Sequence, residues 1–332
     1  MKIKKLQIKN FKSIVDLELI NPNPFSVFVG PNASGKSNIF EAIQFFVTSS
    51  KSSLIEPLRK FGGINSIRNY NSIGDSHFEI MFNDFESYLI MTYDESGTEV
   101  IPETSNLEFY RNILNDKINI EREEYTAFFK NNHRYFINNE RIVNTSYQDD
   151  SRLNTSCSNL EKVLKRILHD EIKREEISEW IQLFIPGFEK VEIVSESLSG
   201  SDNLLIYEKG TKKPFNKSLI SDGTYNILCL LTACYQSDEP QFLCIEEPEN
   251  GLNPFVVREL VNLFRDRCDE GHYIWVNTHS QSLVGELKEE EIILVDKKDG
   301  ETKIKQIQPG KSYGLRMDEA LFTNLLGGGI PW

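Results

Sequence analysis

The stretch Phe25-Ser26-Val27-Phe28-Val29-Gly30-Pro31-Asn32-Ala33-Ser34-Gly35-Lys36-Ser37 decides the fold, because an apolar run leads directly into a glycine-rich loop. Residues 30–37 match the phosphate-loop pattern G-x-x-x-x-G-K-[ST]. Glycines let such a loop wrap tightly, so that backbone N–H groups and a helix N-terminus point at phosphates. Apolar residues at helical spacing follow the loop, at Ile39, Phe40, Ile43, Phe46 and Val47. Strand, loop and helix in this order predict a mononucleotide-binding unit.

The loop residues predict ATP and Mg²⁺ as ligands. Lys36 is expected to reach the β- and γ-phosphates, and the Ser37 hydroxyl is expected to ligate Mg²⁺. Gly30, Asn32 and Gly35 complete the predicted nucleotide-binding set of the loop.

Composition is that of an ordinary globular protein, with 332 residues, 39% hydrophobic and 26% charged. The longest apolar stretch, Ile227 to Tyr235, is far too short to span a membrane, and the N-terminus lacks the apolar core of a signal peptide. These features predict a cytoplasmic protein without a membrane contact. The five cysteines show no metal-ligand spacing and are expected to be reduced, mostly buried thiols.

Charge is distributed unevenly along the chain. The net charge is −13, which argues against a protein that coats nucleic acid by bulk electrostatics. Residues 1–60 nevertheless carry a net charge of +5, and the rest of the chain carries −18. A nucleic-acid contact is therefore expected to be local and to involve the N-terminal lobe.

Hydrophobic patterning predicts an α/β core that is split by an insertion. Alternating apolar residues predict two antiparallel strands before the loop, and strands again from His77 to about Val100, with a turn at Asp94–Gly97. Helical spacing appears between Ser158 and Phe184. We therefore predict a first part of the core at 1–101, a mainly helical insertion at 102–190, and a second part with a parallel sheet, crossover helices and a helical tail at 191–332.

A second apolar strand, Phe242 to Ile245, ends in the two acids Glu246 and Glu247. A buried strand delivers such carboxylates to the sheet edge where a phosphate loop also lies. Glu246 is expected to hold the magnesium shell, and Glu247 to orient or deprotonate the attacking water. Two acids after a strand are equally typical of a solvated strand end when they stand alone.

Four segments together resemble the ABC ATPases of the SMC/RecF-like and OLD-like branch. Residues 245–252 (Ile-Glu-Glu-Pro-Glu-Asn-Gly-Leu) resemble the Walker B motif and D-loop, and Ile220–Thr224 resembles the signature motif, with Asp and Thr in place of Gly and Gln. Val276–Ser280 resembles the switch-histidine segment, and Ile8–Ser13 resembles the N-terminal strand of this branch. The order of the segments matches the family. The resemblance implies an ABC-ATPase head, a P-loop fold with an N-terminal antiparallel β portion and, here, a mainly helical insertion.

The resemblance also implies an assembly. In ABC-type heads the signature helix completes the nucleotide site of the opposite subunit, so Ser221 and Gly223 are expected to contact ATP across a head-to-head homodimer. His279 is expected to sense the γ-phosphate. Two departures stand out: the first Walker B acid is commonly Asp but is Glu246 here, and no Q-loop glutamine can be assigned. The insertion is too short for the coiled-coil arm of SMC proteins.

Two functions remain open at the level of sequence. The first is the ATPase component of a prokaryotic anti-phage defence system, acting with a separate effector such as a nuclease. The second is a RecF-like DNA-repair clamp that binds duplex DNA in the ATP state, for which the sequence support is the +5 lobe and the hairpin lysines Lys209, Lys212, Lys213 and Lys217. A scaffold with negligible turnover has no chemical need for Lys36, Glu247 and His279 together. The Gly-rich tail, 321–332, is either a docking segment or is packed on its own domain.

Overall fold

The computed structural model describes residues 2–51, 54–69, 74–82, 85–93, 100–104, 129–136, 150–196, 201–307, 309–310, 314–323 and 325. The chain divides into two compact units. Unit 1 contains Met1–Arg134, Glu239–Cys244 and Cys268–Trp332, and unit 2 contains Tyr135–Asp238 and Ile245–Arg267. The division into 1–101, 102–190 and 191–332 stays a prediction.

The described residues form both strands and helices. The strands are β1 (Ile3–Phe11), β2 (Ile14–Ile20), β3 (Phe25–Val29), β4 (Ser76–Phe82), β5 (Phe85–Tyr93), β6 (Val100–Thr104), β7 (Asn132–Phe136), β8 (Phe188–Ser195), β9 (Asp202–Glu208), β10 (Phe215–Asn216), β11 (Phe242–Glu246), β12 (Tyr273–Thr278), β13 (Ile292–Lys298) and β14 (Glu301–Gln306). The helices are α1 (Lys36–Lys51), α2 (Ile55–Lys60), α3 (Ile64–Ile67), α4 (Leu160–Leu168), α5 (Glu171–Phe184), α6 (Asp222–Tyr235), α7 (Pro254–Asp269), α8 (Gln281–Val284) and α9 (Met317–Phe322).

A five-stranded antiparallel sheet, in the order β2-β1-β4-β5-β6, forms one layer of unit 1. The predicted pair of antiparallel strands at the N-terminus is confirmed by the pairing of β1 with β2. The apolar residues Ile3 and Leu6 are three positions apart, yet both are buried. A register shift between Ile3 and Lys5 in the pairing with β4 accounts for this spacing, because a bulge inserts one extra residue into the strand.

A six-stranded sheet, in the order β14-β13-β3-β12-β11-β7, belongs to unit 1 except for the last residues of β7 and β11. Its centre confirms the predicted parallel arrangement, since β3 pairs in parallel with both β12 and β13. All five residues of β3 are buried. Helix α1 covers this region through an edge-to-face contact between the Phe28 and Phe40 rings, whose centroids are 5.3 Å apart.

Strand β14 was missed by the sequence analysis, which expected only a helical tail after β13. It pairs antiparallel with β13. Its sequence alternates the charged residues Glu301, Lys303 and Lys305 with Thr302 and Ile304, so it lacks the apolar run that marks a buried strand. The helical part of the expected tail is present as the short α9.

Unit 2 combines helices α4 to α7 with a three-stranded sheet in the order β10-β9-β8. Helices α4 and α5 confirm the helical pattern seen between residues 158 and 184, and both pack against α6. Asp170 caps α5 by accepting bonds from the backbone N–H groups of Ile172 and Lys173. Residues 105–128 and 137–149 of the predicted insertion, the turn at 94–97 and most of the Gly-rich tail lie outside the described residues.

The five cysteines are free thiols, as predicted, and only Cys268 is partly exposed. Burial next to Cys157 raises the pKa of the Cys229 thiol well above its ordinary value, which keeps it protonated and unreactive. In the part of the chain that the structure describes, no helix is both long and apolar enough to cross a membrane.

Candidate functional site

The glycine-rich loop connects the end of β3 to the start of α1, and two of its glycines are required by close packing. A Cβ atom on Gly30 would lie 1.9 Å from the carbonyl oxygen of Val295 on β13. Gly35 has φ of +102°, and a Cβ atom there would lie 1.9 Å from Oγ1 of Thr302. Neither position can therefore carry a side chain. The loop packs closely against Val295 and Thr302, and this packing fixes its backbone conformation.

Lys36 is the first residue of α1, and its side chain folds over the loop. Its Nζ atom donates hydrogen bonds to the carbonyl oxygens of Gly30, at 2.7 Å, and Pro31, at 2.8 Å. The side chain is buried, with 7% of its surface exposed, whereas Asn32 and Ser37 are exposed. The loop therefore places one fixed ammonium group at a helix N-terminus, an arrangement suited to phosphate.

A series of hydrogen-bonded polar side chains supports the loop through the Ser34 carbonyl group. The sequence analysis did not identify these side chains. The Thr302 hydroxyl donates to the carbonyl oxygen of Ser34 at 3.0 Å, and Ser13 Oγ lies 2.6 Å from Thr302 Oγ1. Asn38 Nδ2 in turn donates to Ser13 Oγ at 2.6 Å. Ser13 belongs to the Ile8–Ser13 motif, but no local pattern marks Thr302.

We expect Thr302→Val to weaken ATP binding about fivefold, because loss of a hydrogen bond near 1 kcal/mol leaves the Ser34 carbonyl unsatisfied and the loop less fixed. The dissociation constant of a fluorescent ATP analogue measures this effect. Thr48→Val is the matched control, since the Thr48 hydroxyl donates to the Gln44 carbonyl oxygen of its own helix and not to the loop. Equal affinities for the two variants would contradict a role of Thr302 in supporting the loop.

His279 lies at the same end of the sheet as the loop. Strands β3 and β12 run in parallel, with Val29 opposite Thr278, so Gly30 and His279 are the first residues beyond two neighbouring strands. Adjacent strands are about 4.8 Å apart. Thr278 Oγ1 accepts a bond from the Ser280 N–H at 2.9 Å and fixes the turn that carries His279. The structure therefore brings the predicted switch histidine to the phosphate loop within unit 1.

The two predicted acids lie in unit 2, where Glu246 is the last residue of β11. Glu246 is buried, with 6% of its surface exposed. Glu247 is partly exposed and has φ of +47°, a left-handed conformation that is unfavourable for a residue other than glycine. Asn250 closes the following turn, because its N–H donates to the Glu247 carbonyl at 3.2 Å and its Nδ2 to Glu247 Oε2 at 3.1 Å.

The signature segment packs directly on this turn. Ser221 caps α6 by accepting a bond from the Thr224 N–H at 3.0 Å, and it is exposed. A Cβ atom on Gly223 would lie 2.4 Å from the carbonyl oxygen of Gly251. Asn226, which the sequence analysis did not single out, donates from Nδ2 to the carbonyl oxygens of Pro248, at 2.9 Å, and Asn250, at 2.8 Å.

This fold and these motifs define the ABC-type ATPases among the P-loop proteins. A family model described as "AAA domain, putative AbiEii toxin, Type IV TA system" matches residues 25–285, which is more than half of the chain. The chain belongs to this family. The predicted SMC/RecF-like ABC-ATPase class and fold are confirmed, whereas the roles of individual site residues stay predictions.

Individual relatives agree with this class. The chromosome partition protein Smc of Methanocaldococcus jannaschii is 40% identical over 67 residues, 20% of this chain and 6% of that protein, so the chain spans only a small part of its length. An ATP/GTP phosphatase of Helicobacter pylori is 19% identical over 325 residues, 85% of this chain and 86% of that protein. A Pyrococcus furiosus Smc head domain, solved with the C-terminal domain of ScpA, shares the fold with a TM-score of 0.61 and 17% identity over 97% of this chain and 98% of that one.

Proposed function

We propose that this chain binds ATP with Mg²⁺ on the loop 30–37 and hydrolyses it as a nucleotide-dependent head-to-head dimer. The observation that carries the proposal is the phosphate loop itself, with glycine required at Gly30 and Gly35 and with Lys36 fixed over its carbonyl groups. A loop held in this way is preorganised for phosphate, so little rearrangement opposes binding.

Each site residue has a distinct role in the proposal. Lys36 neutralises charge on the β- and γ-phosphates, and His279 contacts the γ-phosphate from the neighbouring strand. The Ser37 hydroxyl and the Glu246 carboxylate are oxygen ligands of the kind Mg²⁺ prefers, and the bound ion would offset charge on the transferred phosphoryl group. Glu247 orients the attacking water and accepts its proton.

The dimer follows from the number of motifs. Each chain has one phosphate loop and one signature segment, so two copies related by a two-fold axis would supply two loops and two signatures. Ser221 lies exposed at the start of the 14-residue helix α6, where its hydroxyl and the helix N-terminus are accessible to a second molecule. Gly223 lets this helix start close to the turn after Glu247.

Within the cell, we propose a defence role in which this ATPase controls a separate effector such as a nuclease. The support is the family description, which names a putative AbiEii toxin and a type IV toxin–antitoxin system. ATP-driven opening and closing of the dimer would transmit the trigger to the effector.

The second candidate is a RecF-like clamp on duplex DNA. The lysines of the N-terminal lobe argue against it, and the exposed lysines of the hairpin favour it. In the N-terminal lobe, Lys5, Lys9 and Lys12 form ion pairs with acids of the same unit, which reduces the charge available to DNA. Lys217 also pairs with Glu161. The exposed hairpin lysines Lys209, Lys212 and Lys213 form no ion pair with any residue that the structure describes, and this observation favours the clamp.

The dimer is tested by the solution mass of the Glu247→Gln variant, measured by light scattering with and without Mg²⁺ and ATP. We expect a shift from one subunit to two only with ATP, because loss of the general base traps the bound state. The double variant Lys36→Ala/Glu247→Gln is the control and is expected to stay at one subunit.

A Glu247→Gln mass that remains at one subunit in ATP would rule out the head-to-head mechanism. A large mass that ATP does not change would mean a permanent assembly and would contradict nucleotide-dependent dimerisation. Duplex DNA added to the trapped dimer separates the two cellular roles: salt-sensitive, ATP-dependent binding supports the clamp, and an unchanged mass supports the defence subunit.

A further inference from the structure

We propose that Asn226 is a positioning residue for hydrolysis, which fixes Glu247 through the turn 247–251 and ties that turn to the signature helix. This inference rests on the proposed role of Glu247 as the base. It concerns contacts within unit 2 alone, between α6 and the segment that follows β11.

Asn226 is a buried amide whose two donated bonds both go to the turn. It is 4% exposed, and Nδ2 donates to the carbonyl oxygens of Pro248 and Asn250, at 2.9 and 2.8 Å. Among the described residues its Oδ1 atom has no hydrogen-bond partner although it is buried. A buried polar atom without a partner is unfavourable, so this orientation is held by the two bonds to the turn rather than by the local surroundings of the amide.

The turn passes this restraint to Glu247. Asn250, whose carbonyl oxygen is held by Asn226, donates from its own side chain to Glu247 Oε2 at 3.1 Å. Glu247 has φ of +47°, a conformation that persists only where the surrounding structure imposes it. Asn226 and Asn250 thus fix both the backbone and the carboxylate of the proposed base.

The contact of Asn226 with the turn connects the signature segment of a subunit with the proposed base of the same subunit. Asn226 lies one helical turn beyond Ser221 and Gly223 on α6, and Gly223 packs against Gly251 of the turn. In the proposed dimer, Ser221 meets the ATP of the partner subunit, while Glu247 acts on the ATP of its own subunit. A shift of α6 on engaging the partner would therefore reach Glu247 through Asn226, so hydrolysis would proceed only when the signature is engaged.

The test is the Asn226→Leu variant, in which an apolar side chain of similar size removes both donors. We expect kcat for ATP hydrolysis to fall roughly 10- to 100-fold, the range for a misplaced reacting group, with the dissociation constant for ATP unchanged within about twofold. In the Glu247→Gln background the same substitution is expected to have no further effect on the residual rate, because Asn226 acts through Glu247.

Two further variants keep the inference testable if Asn226→Leu is poorly folded. Asn250→Ala changes an exposed residue and removes only the bond to Glu247 Oε2, so it is expected to lower kcat in the same direction. Thr232→Val is the matched control, since this buried hydroxyl of α6 donates only to Leu228 of its own helix. Its kcat is expected to match that of the unmodified protein.

Two results would overturn the inference. One is that Asn226→Leu lowers the hydrolysis rate by the same factor in the Glu247→Gln background as in the otherwise unmodified protein. The other is a weaker affinity for ATP with kcat unchanged, which would indicate a general structural role. If the unmodified protein hydrolyses no ATP, the proposed function itself is refuted. This result is obtained before any Asn226 variant is measured, so it cannot be confused with failure of the inference about Asn226.

Discussion

Lys36→Ala is expected to lower kcat/KM for ATP by roughly 100- to 1000-fold, the range for loss of one preorganised group that stabilises developing charge. Lys36 supplies a cation at the first turn of α1, inside a loop that brings phosphate into contact with it. Its Nζ atom is held by the carbonyl oxygens of Gly30 and Pro31, so no conformational search precedes the contact with phosphate. Steady-state phosphate release measures the loss of turnover, and the dissociation constant of ATP measures the loss of binding.

Lys60→Ala is the matched control for Lys36→Ala, because Lys60 is exposed at the end of α2 and lies outside the loop. The melting temperature separates a loss of binding from a loss of folding, since the two bonds from the Lys36 ammonium to carbonyl oxygens contribute about 1.5–3 kcal/mol each to stability. Hydrolysis by Lys36→Ala within twofold of the unmodified protein would exclude the loop as the nucleotide site.

The phosphate loop could be predicted because its geometry is local. Gly30, Gly35 and Lys36 lie within seven consecutive residues, and the strand before and the helix after them follow from apolar periodicity. The position of His279 could also be predicted, because the residue that follows a parallel strand emerges at the same end of the sheet as the loop.

The groups that support these residues could not be predicted, because their contacts join distant parts of the chain. Ser13 and Thr302 are 289 positions apart, and the strand that carries Thr302 has no apolar run. Asn226 contacts a turn that lies more than twenty residues later in the chain. A single asparagine in an apolar helix is an ordinary feature of a sequence, so it does not by itself indicate such a contact. The left-handed backbone of Glu247 likewise follows from the turn and not from the residue type.

At Gly223, as at Gly30, the requirement for glycine arises wholly from a tertiary contact. A Cβ atom there would lie 2.4 Å from the Gly251 carbonyl oxygen and 3.5 Å from Leu252 Cδ2. The first of these neighbours is backbone, which cannot rotate away as a flexible side chain can. Gly251 has φ of +76°, so the turn itself has little freedom to adjust.

Gly223→Ala is therefore expected to separate the start of α6 from the turn after Glu247 and to lower kcat about 100-fold, as loss of a preorganised catalytic contact does. The affinity for ATP is expected to stay within about twofold, because the loop 30–37 belongs to unit 1. Gly210→Ala is the control: its Cβ meets open space, so it reports the cost of a positive φ alone. If both variants hydrolyse ATP at the same rate, close packing at Gly223 has no part in catalysis, and the signature segment must act without the turn.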